Sequence, residues 1–153
     1  MHPLKALRKR ANAVLAAAAI EIDVGGVPTL VTIASHPPTG GRFPQELLPA
    51  AFCYIRSETI QPDTTTSDDR SALLDVVVQA WGPHEDALDQ VDDMHLAVEL
   101  AIAADPTLAG LTYRLRPVGS EIYVDQGEIV FAGRRISFEG RMMVNRANPA
   151  VTS

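Results

Sequence analysis

The chain of 153 residues holds one cysteine, Cys53, so no disulfide can form within it and a thiolate zinc cluster is excluded. A reducing compartment is the natural setting for such a chain. Aromatics are scarce, at 5%, so the core has to be built from aliphatic side chains. No stretch approaches the roughly 18 apolar residues of a membrane-spanning helix, and the pattern is that of a soluble chain. Positive charge is also short. Against 19 Asp and Glu stand 13 Lys and Arg, a net charge of -6, which disfavours non-specific binding of nucleic acid over the surface as a whole. What is present suits one domain with a real core: hydrophobic residues make up 46% and charged residues 21%.

The charge is unevenly placed. Lys5, Arg8, Lys9 and Arg10 make the start basic, while Asp63 to Asp93 is acidic. The run AVLAAAAI after the basic residues imitates an export signal, but Glu21 and Asp23 interrupt it at once. Leu4, Leu7, Ala11, Val14, Leu15 and Ala18 recur at helical spacing and predict an amphipathic helix over Pro3–Ala19, with Pro3 in its first turn.

Alternation of Ile20, Ile22 and Val24 with Glu21 and Asp23 predicts a strand running into a Gly25-Gly26 hairpin turn. Leu30–Ala34 is the expected return strand, kept at an edge by Pro28. SHPPTGGRFPQELLP, Ser35 to Pro49, reads as a long loop, and Ala51–Thr59 as a strand. QPDTTTSDD, Gln61 to Asp69, has little to bury and reads as an exposed loop. Ala72–Trp81 carries apolar residues on both faces, with Leu74, Val76, Val78 and Ala80 on one, which predicts a central strand. A second helix is expected over Glu85–Ala104, ended by DPTLAGL. Leu111–Leu115 and Glu121–Val124 read as one long strand with a bulge near Pro117-Val118-Gly119. Ile136, Phe138, Met142 and Val144 alternate with Arg135, Ser137, Glu139 and Arg141 in a half-buried last strand. The order predicts one α+β domain over residues 1–144, a mainly antiparallel or mixed β-sheet packed by two α-helices, with a β-hairpin and long loops. Residues 145–153 read as a flexible tail.

The stretch GPHEDALDQVDDMH, Gly82 to His95, is where a metal or acid–base site is most worth testing. On a helix, Leu88, Val91, Met94, Val98 and Ile102 share one face, while Asp86, Asp89, Asp92 and Asp93 fan across the other instead of converging. His84-Glu85 does not begin a zincin motif, because Leu88 stands where the second histidine belongs. The spacing of a calcium-binding loop is also missing. The stretch reads as the wet face of a helix, with acids suited to its first turns. A small metal-dependent enzyme using His84, His95 and nearby acids is kept as the alternative of another class. A free-standing ligand-binding domain is a third, with few aromatics to line its pocket.

No other chemistry gathers. Cys53 lies mid-strand and fills space. Ser71 and Ser120 lack a nucleophile-elbow turn, and Gly40-Gly41 lacks the strand-to-helix setting of a phosphate loop. The sequence therefore names no catalytic, cofactor-binding or metal-ligating residue. It does name interface candidates. Leu96 and Leu100 lie i, i+4 on the acidic side of the second helix, away from its main apolar stripe. Arg114, Arg116, Arg135 and Arg141 are placed to share the polar face of neighbouring strands. Phe43 and Leu47 in the proline-rich loop complete the set.

Taken together, DVVVQAWG, the helix EDALDQVDDMHLAVELAIAADPTLAGL, the kinked strand YRLRPVGSEIYV, the last strand RRISFEGRMMV and the earlier LPAAFCYIRSE resemble the tail terminator proteins of long-tailed bacteriophages, the minor tail protein U type. The resemblance spans Pro3 to Val144 and rests on pattern and order. It implies an α+β subunit that forms a homo-hexameric ring on the head-proximal end of the tail tube, ends tube polymerisation and offers a surface to the head. Its partners would be its own copies, the tail tube protein and a head–tail connector or stopper, with DNA passing the lumen unbound. The proline-rich loop and Gln61–Asp69 are expected to order only against the neighbouring subunit or the tube ring. It implies no catalysis and no cofactor, and a place in the virion after assembly in the host cytoplasm. A connector or stopper protein is the runner-up within the same setting.

Overall fold

The computed structural model describes residues 1–83, 85–125 and 130–150. His84 lies outside them. The chain opens with helix α1, Pro3–Ala17, whose first turn is capped by His2: its Nδ1 accepts from the Leu4 N–H at 3.2 Å. The periodic positions Leu7, Ala11 and Leu15 are its buried stripe, as the spacing requires. Strands β1, Glu21–Val24, and β2, Val27–Leu30, form an antiparallel hairpin in which Val24 faces Val27. The return strand thus begins three residues earlier than expected. Gly25 and Gly26 both take positive φ, 59° and 85°, so a two-residue turn leaves Val27 already in register.

After β3, Thr32–Ile33, come two short 3-10 turns at Thr39–Gly41 and Gln45–Leu47. Three long strands make the body of the sheet: β4, Ala50–Pro62, β5, Ser67–Gly82, and β7, Val130–Asn145. Between the last two lie α2, Asp86–Ala104, and β6, Arg116–Asp125. The five-stranded sheet runs β3-β4-β5-β7-β6. Only the β3–β4 pair is parallel. The fold is α+β with a mixed, mainly antiparallel sheet, as the order of elements predicts, and β5 is the central strand.

Both helices lie on one face. α2 packs on β5 and β7, and α1 on β4, β3 and α2. Between them sits the main core, with Leu74, Val76, Val78 and Ala80 of β5 and Ile136, Phe138, Met142 and Val144 of β7. Each such aliphatic side chain contributes about 1.5–3 kcal/mol by leaving water, and Phe138 anchors the layer as its largest fully buried residue.

Three expectations need correction. Gln61–Asp69 is mostly strand: β4 runs to Pro62 and β5 starts at Ser67, with a turn held by Thr64 Oγ1, which accepts from the N–H groups of Thr66 and Ser67. The polar residues at the two strand ends pair backbone to backbone, which needs no apolar burial. Leu111–Leu115 is not strand. Leu108, Ala109 and Gly110 all take positive φ and turn the chain back, so that the Leu115 N–H donates to Pro106 O at 2.7 Å. The strand starts at Arg116, and the register shift between Pro117 and Gly119 is the expected bulge. Finally, Asn145 ends β7 and Arg146 bonds Asp68 Oδ1 at 2.8 Å and Thr64 O at 3.0 Å. The tail is therefore held to the β4–β5 turn as far as Arg146.

Candidate functional site

Four of the interface candidates meet on one flank. α2 turns Ala87, Val91, Met94, Val98 and Ile102 into the core, which forces Leu96 and Leu100 outward, at 60% and 62% exposure. With Arg114, Arg116, Pro117 and Phe138 they line a groove of about 410 Å³ between α2 and the start of β6. Arg116 reaches Glu139 at 3.4 Å. Beside this groove every residue of β6 is exposed, including Val118, Ile122, Tyr123 and Val124. Ile122 and Val124 stand opposite Arg134 and Ala132 of β7, on the helix-bearing side of the sheet, beyond the reach of α2. The sequence flags the strand but not its exposure, because alternating Ile122 and Val124 read as half-buried.

Arg135 and Arg141 lie on the opposite face, the one without helices. Arg141 pairs with Asp69, and Arg135 with Glu121. Asp75 sits among them fully buried. Its Oδ2 accepts from Arg56 Nε at 2.8 Å and faces Arg135 Nε at 3.7 Å, and its Oδ1 accepts from Ser137 Oγ at 2.7 Å. Burial first, and then the Asp75 carboxylate, hold the neighbouring Tyr54 phenol above its ordinary range, so it stays protonated near neutral pH. The four arginines therefore do not share one face: Arg114 precedes the strand and borders the α2 groove.

Phe43 belongs to the chain's own packing. It meets Phe52 edge to face at 5.6 Å, over Val77 and Ala50. Gln79, fully buried, ties the segment down: its Oε1 accepts from the Phe43 N–H at 3.0 Å, and its Nε2 donates to Gly41 O at 2.8 Å and Tyr123 Oη at 3.0 Å. The Ser35–Pro49 segment is thus ordered within the subunit, against the expectation that only a neighbour orders it. Leu47 at its end is exposed. The segment and β6 leave an open cavity of about 500 Å³ over Phe52, Tyr54, Val77 and Tyr123. Asp75 and Gln79 are the residues that sequence reasoning misses here. Their signal is plain in LLDVVVQAW: a carboxylate and an amide inside an apolar strand have to be satisfied by hydrogen bonds.

His95 is engaged in a local network. Arg134 Nη1 donates to its Nδ1 at 3.0 Å, its Nε2 meets Glu99 Oε1 at 2.9 Å, and Arg134 also reaches Asp92 at 2.8 Å. With Nδ1 accepting, the ring proton sits on Nε2 and is donated to Glu99. Among the described residues, Asp86, Asp89 and Asp93 line a polar depression with Asp23, and no three His, Cys, Asp or Glu side chains converge as metal ligands would. Cys53 is buried on the α1 side, and burial pushes its thiol up to about 11, which makes it a poor nucleophile. Among known proteins, no family model and no curated protein matches the chain.

Proposed function

We propose that the chain is a virion assembly protein: a tail terminator that closes the head-proximal end of a phage tail tube as a ring and presents a surface for head joining. The observation that carries the reading is the unpartnered flank formed by Leu96, Leu100 and the wholly exposed β6. A monomer has no use for such a surface, whereas a subunit buries it against its neighbour. The sequence resemblance supplies the setting, and the acidic balance of the chain suits a lumen that DNA must pass without adhering. In this reading the partners are copies of the chain, the tail tube protein and the connector or stopper, and the protein resides in the virion. It uses no catalytic group and no cofactor.

The test is electron microscopy of particles from a strain lacking the gene. Overlong tubes beside unattached heads are expected. Tails of normal length with unjoined heads would assign the protein to the connector instead. Intact, normal particles would overturn both roles.

A further inference from the structure

The sheet has two unpaired edges, and they match. On one side β6 is last and bonds only to β7. On the other, β3 covers β4 only at Ala50 and Ala51, so among the described residues β4 from Cys53 to Pro62 has no strand outside it. Because β4–β5, β5–β7 and β7–β6 are all antiparallel, β4 and β6 run in opposite directions. Two copies placed side by side with their sheets facing the same way therefore present strands that pair antiparallel.

The side chains agree with this join. On the helix-bearing face, β4 offers Ile55, Glu58 and Ile60, opposite Leu74, Ala72 and Arg70 of its own subunit, with Glu58 bound to Arg70 at 3.4 Å, and β6 offers Ser120, Ile122 and Val124. On the other face, Ser57, Thr59 and Gln61 would lie beside Gly119, Glu121 and Tyr123, with no acid against acid. A two-fold join of β6 to β6 would instead line the Glu121 and Asp125 carboxylates of both copies along one face.

The helix layer adds complementary charge. α1 overlies the β4 side, where its Arg8 carbonyl lies 3.6 Å from Cys53 Sγ, and it carries Lys5, Arg8 and Lys9 with no acid before Glu21. Arg10 is excluded, being bound to Asp105 at 3.0 Å. α2 overlies β5 and β7, nearer to β6 than α1 is, and carries Asp89 and Asp93 beside Leu96 and Leu100; Asp92 and Glu99 are excluded in the same way, being bound to Arg134 at 2.8 Å and His95 at 2.9 Å.

From these three matches we infer that copies of the chain associate head to tail: the free edge of β6 adds to the free edge of β4 of the next copy, and the acidic, leucine-bearing flank of α2 covers the basic flank of its α1. Such a heterologous contact repeats by rotation and closes a ring. The inference rests on, and deepens, the ring in the proposed function.

Cross-linking tests it. Ser57→Cys and Glu121→Cys, both on the helix-free face, are made singly and together in the full chain, and treated with a short bis-maleimide at neutral pH and millimolar protein. The buried Cys53 contributes no background. Mixing the two single variants should give dimers, neither alone should, and the double variant should give a ladder ending at a closed ring. Dimers of Glu121→Cys alone would replace the head-to-tail contact with a two-fold one, and no cross-linked species in any mixture would remove the edge contact altogether. Head-to-tail cross-links with normal tails in the deletion strain would keep this contact and discard the terminator role. Overlong tails without cross-links would do the reverse.

Discussion

Removing one arginine from beside Asp75 should destabilise the fold more than removing the charge of Asp75 itself, and the second change should partly repair the first. Asp75 is at 0% exposure, whereas its partners Arg56 and Arg135 keep 38% and 32% of their side chains in contact with water. In Arg56→Met the carboxylate stays buried with Ser137, Tyr54 and a guanidinium whose Nε is 3.7 Å away. Stranding a buried charge in this way costs about 3–5 kcal/mol, and the remaining arginine places this case near about 3. In Asp75→Asn the two cations turn to solvent and the amide oxygen still accepts from Ser137, so the loss is that of a charge-assisted hydrogen bond, about 1.5–2 kcal/mol. In the double variant no orphaned charge remains, and it should be more stable than Arg56→Met alone by about 1 kcal/mol, a clear departure from additivity. Urea unfolding followed by circular dichroism reads this directly: with a slope of about 2 kcal/mol per molar, Arg56→Met should lower the midpoint by about 1.5 M. If the double variant loses the sum of the two single losses, the buried-charge reasoning is wrong.

Leu96→Glu with Leu100→Glu should leave the unfolding free energy of the monomer within about 0.5 kcal/mol of the parent, since both side chains already face water, while abolishing assembly; a ring that still forms refutes their interface role. Gly133→Val should cost about 1–3 kcal/mol, because a Cβ there would lie 2.2 Å from Tyr123 Cζ and must displace the ring bonded to Gln79; an unchanged melting temperature would show that Tyr123 swings aside freely. The Cys53 thiol, pushed up from 9.0 to about 11, should resist a thiol reagent at pH 8 until the chain is unfolded. Its linkage runs the same way. The folded state holds the proton more tightly, so the contribution is complete below pH 9, where the unfolded thiol titrates, and is lost as pH rises toward 11. Over that window the parent should lose about 2–3 kcal/mol that Cys53→Ala does not, read as the difference between their alkaline unfolding curves.

Where one face of an element meets the core and the other meets water, period alone located it. α1, α2 and the Ile136–Val144 half of β7 are such elements, and their buried residues are the ones that the spacing picks out, while β5, buried on both faces, was located by its apolar run. The failures have physical causes. Gln61–Asp69 is polar, yet strand ends in a long hairpin are held by backbone pairing that composition does not report. Phe43 sits in a proline-rich stretch that reads as loop, and its anchoring depends on Gln79, thirty-six positions away. The candidate flank was half legible: Leu96 and Leu100 stand out from the helical stripe, but the bare edge of β6 depends on where α2 ends its cover.

The composition of β6 shows which part of that edge is free to pair. Natural edge strands are commonly protected against unwanted pairing by proline, bulges or charge. Here Pro117 and the register shift before Gly119 fall in the first half of the strand, where Pro117 offers no N–H to a neighbour. From Ser120 to Asp125 the strand is regular, with no proline, no lysine and two exposed β-branched residues, Ile122 and Val124. β4 is protected in the same one-sided way: its outer end closes on Pro62, while the run from Ser57 to Gln61 is regular. Each edge thus blocks one end and leaves about five residues open. Because the two strands run in opposite directions, the open stretches restrict the registers in which they can meet. A Lys at position 122, in the unprotected half, should therefore stop association, whereas a Lys at 118, inside the bulge, should not. Equal loss of cross-linking in Ile122→Lys and Val118→Lys would mean that the edge itself is not the joining element.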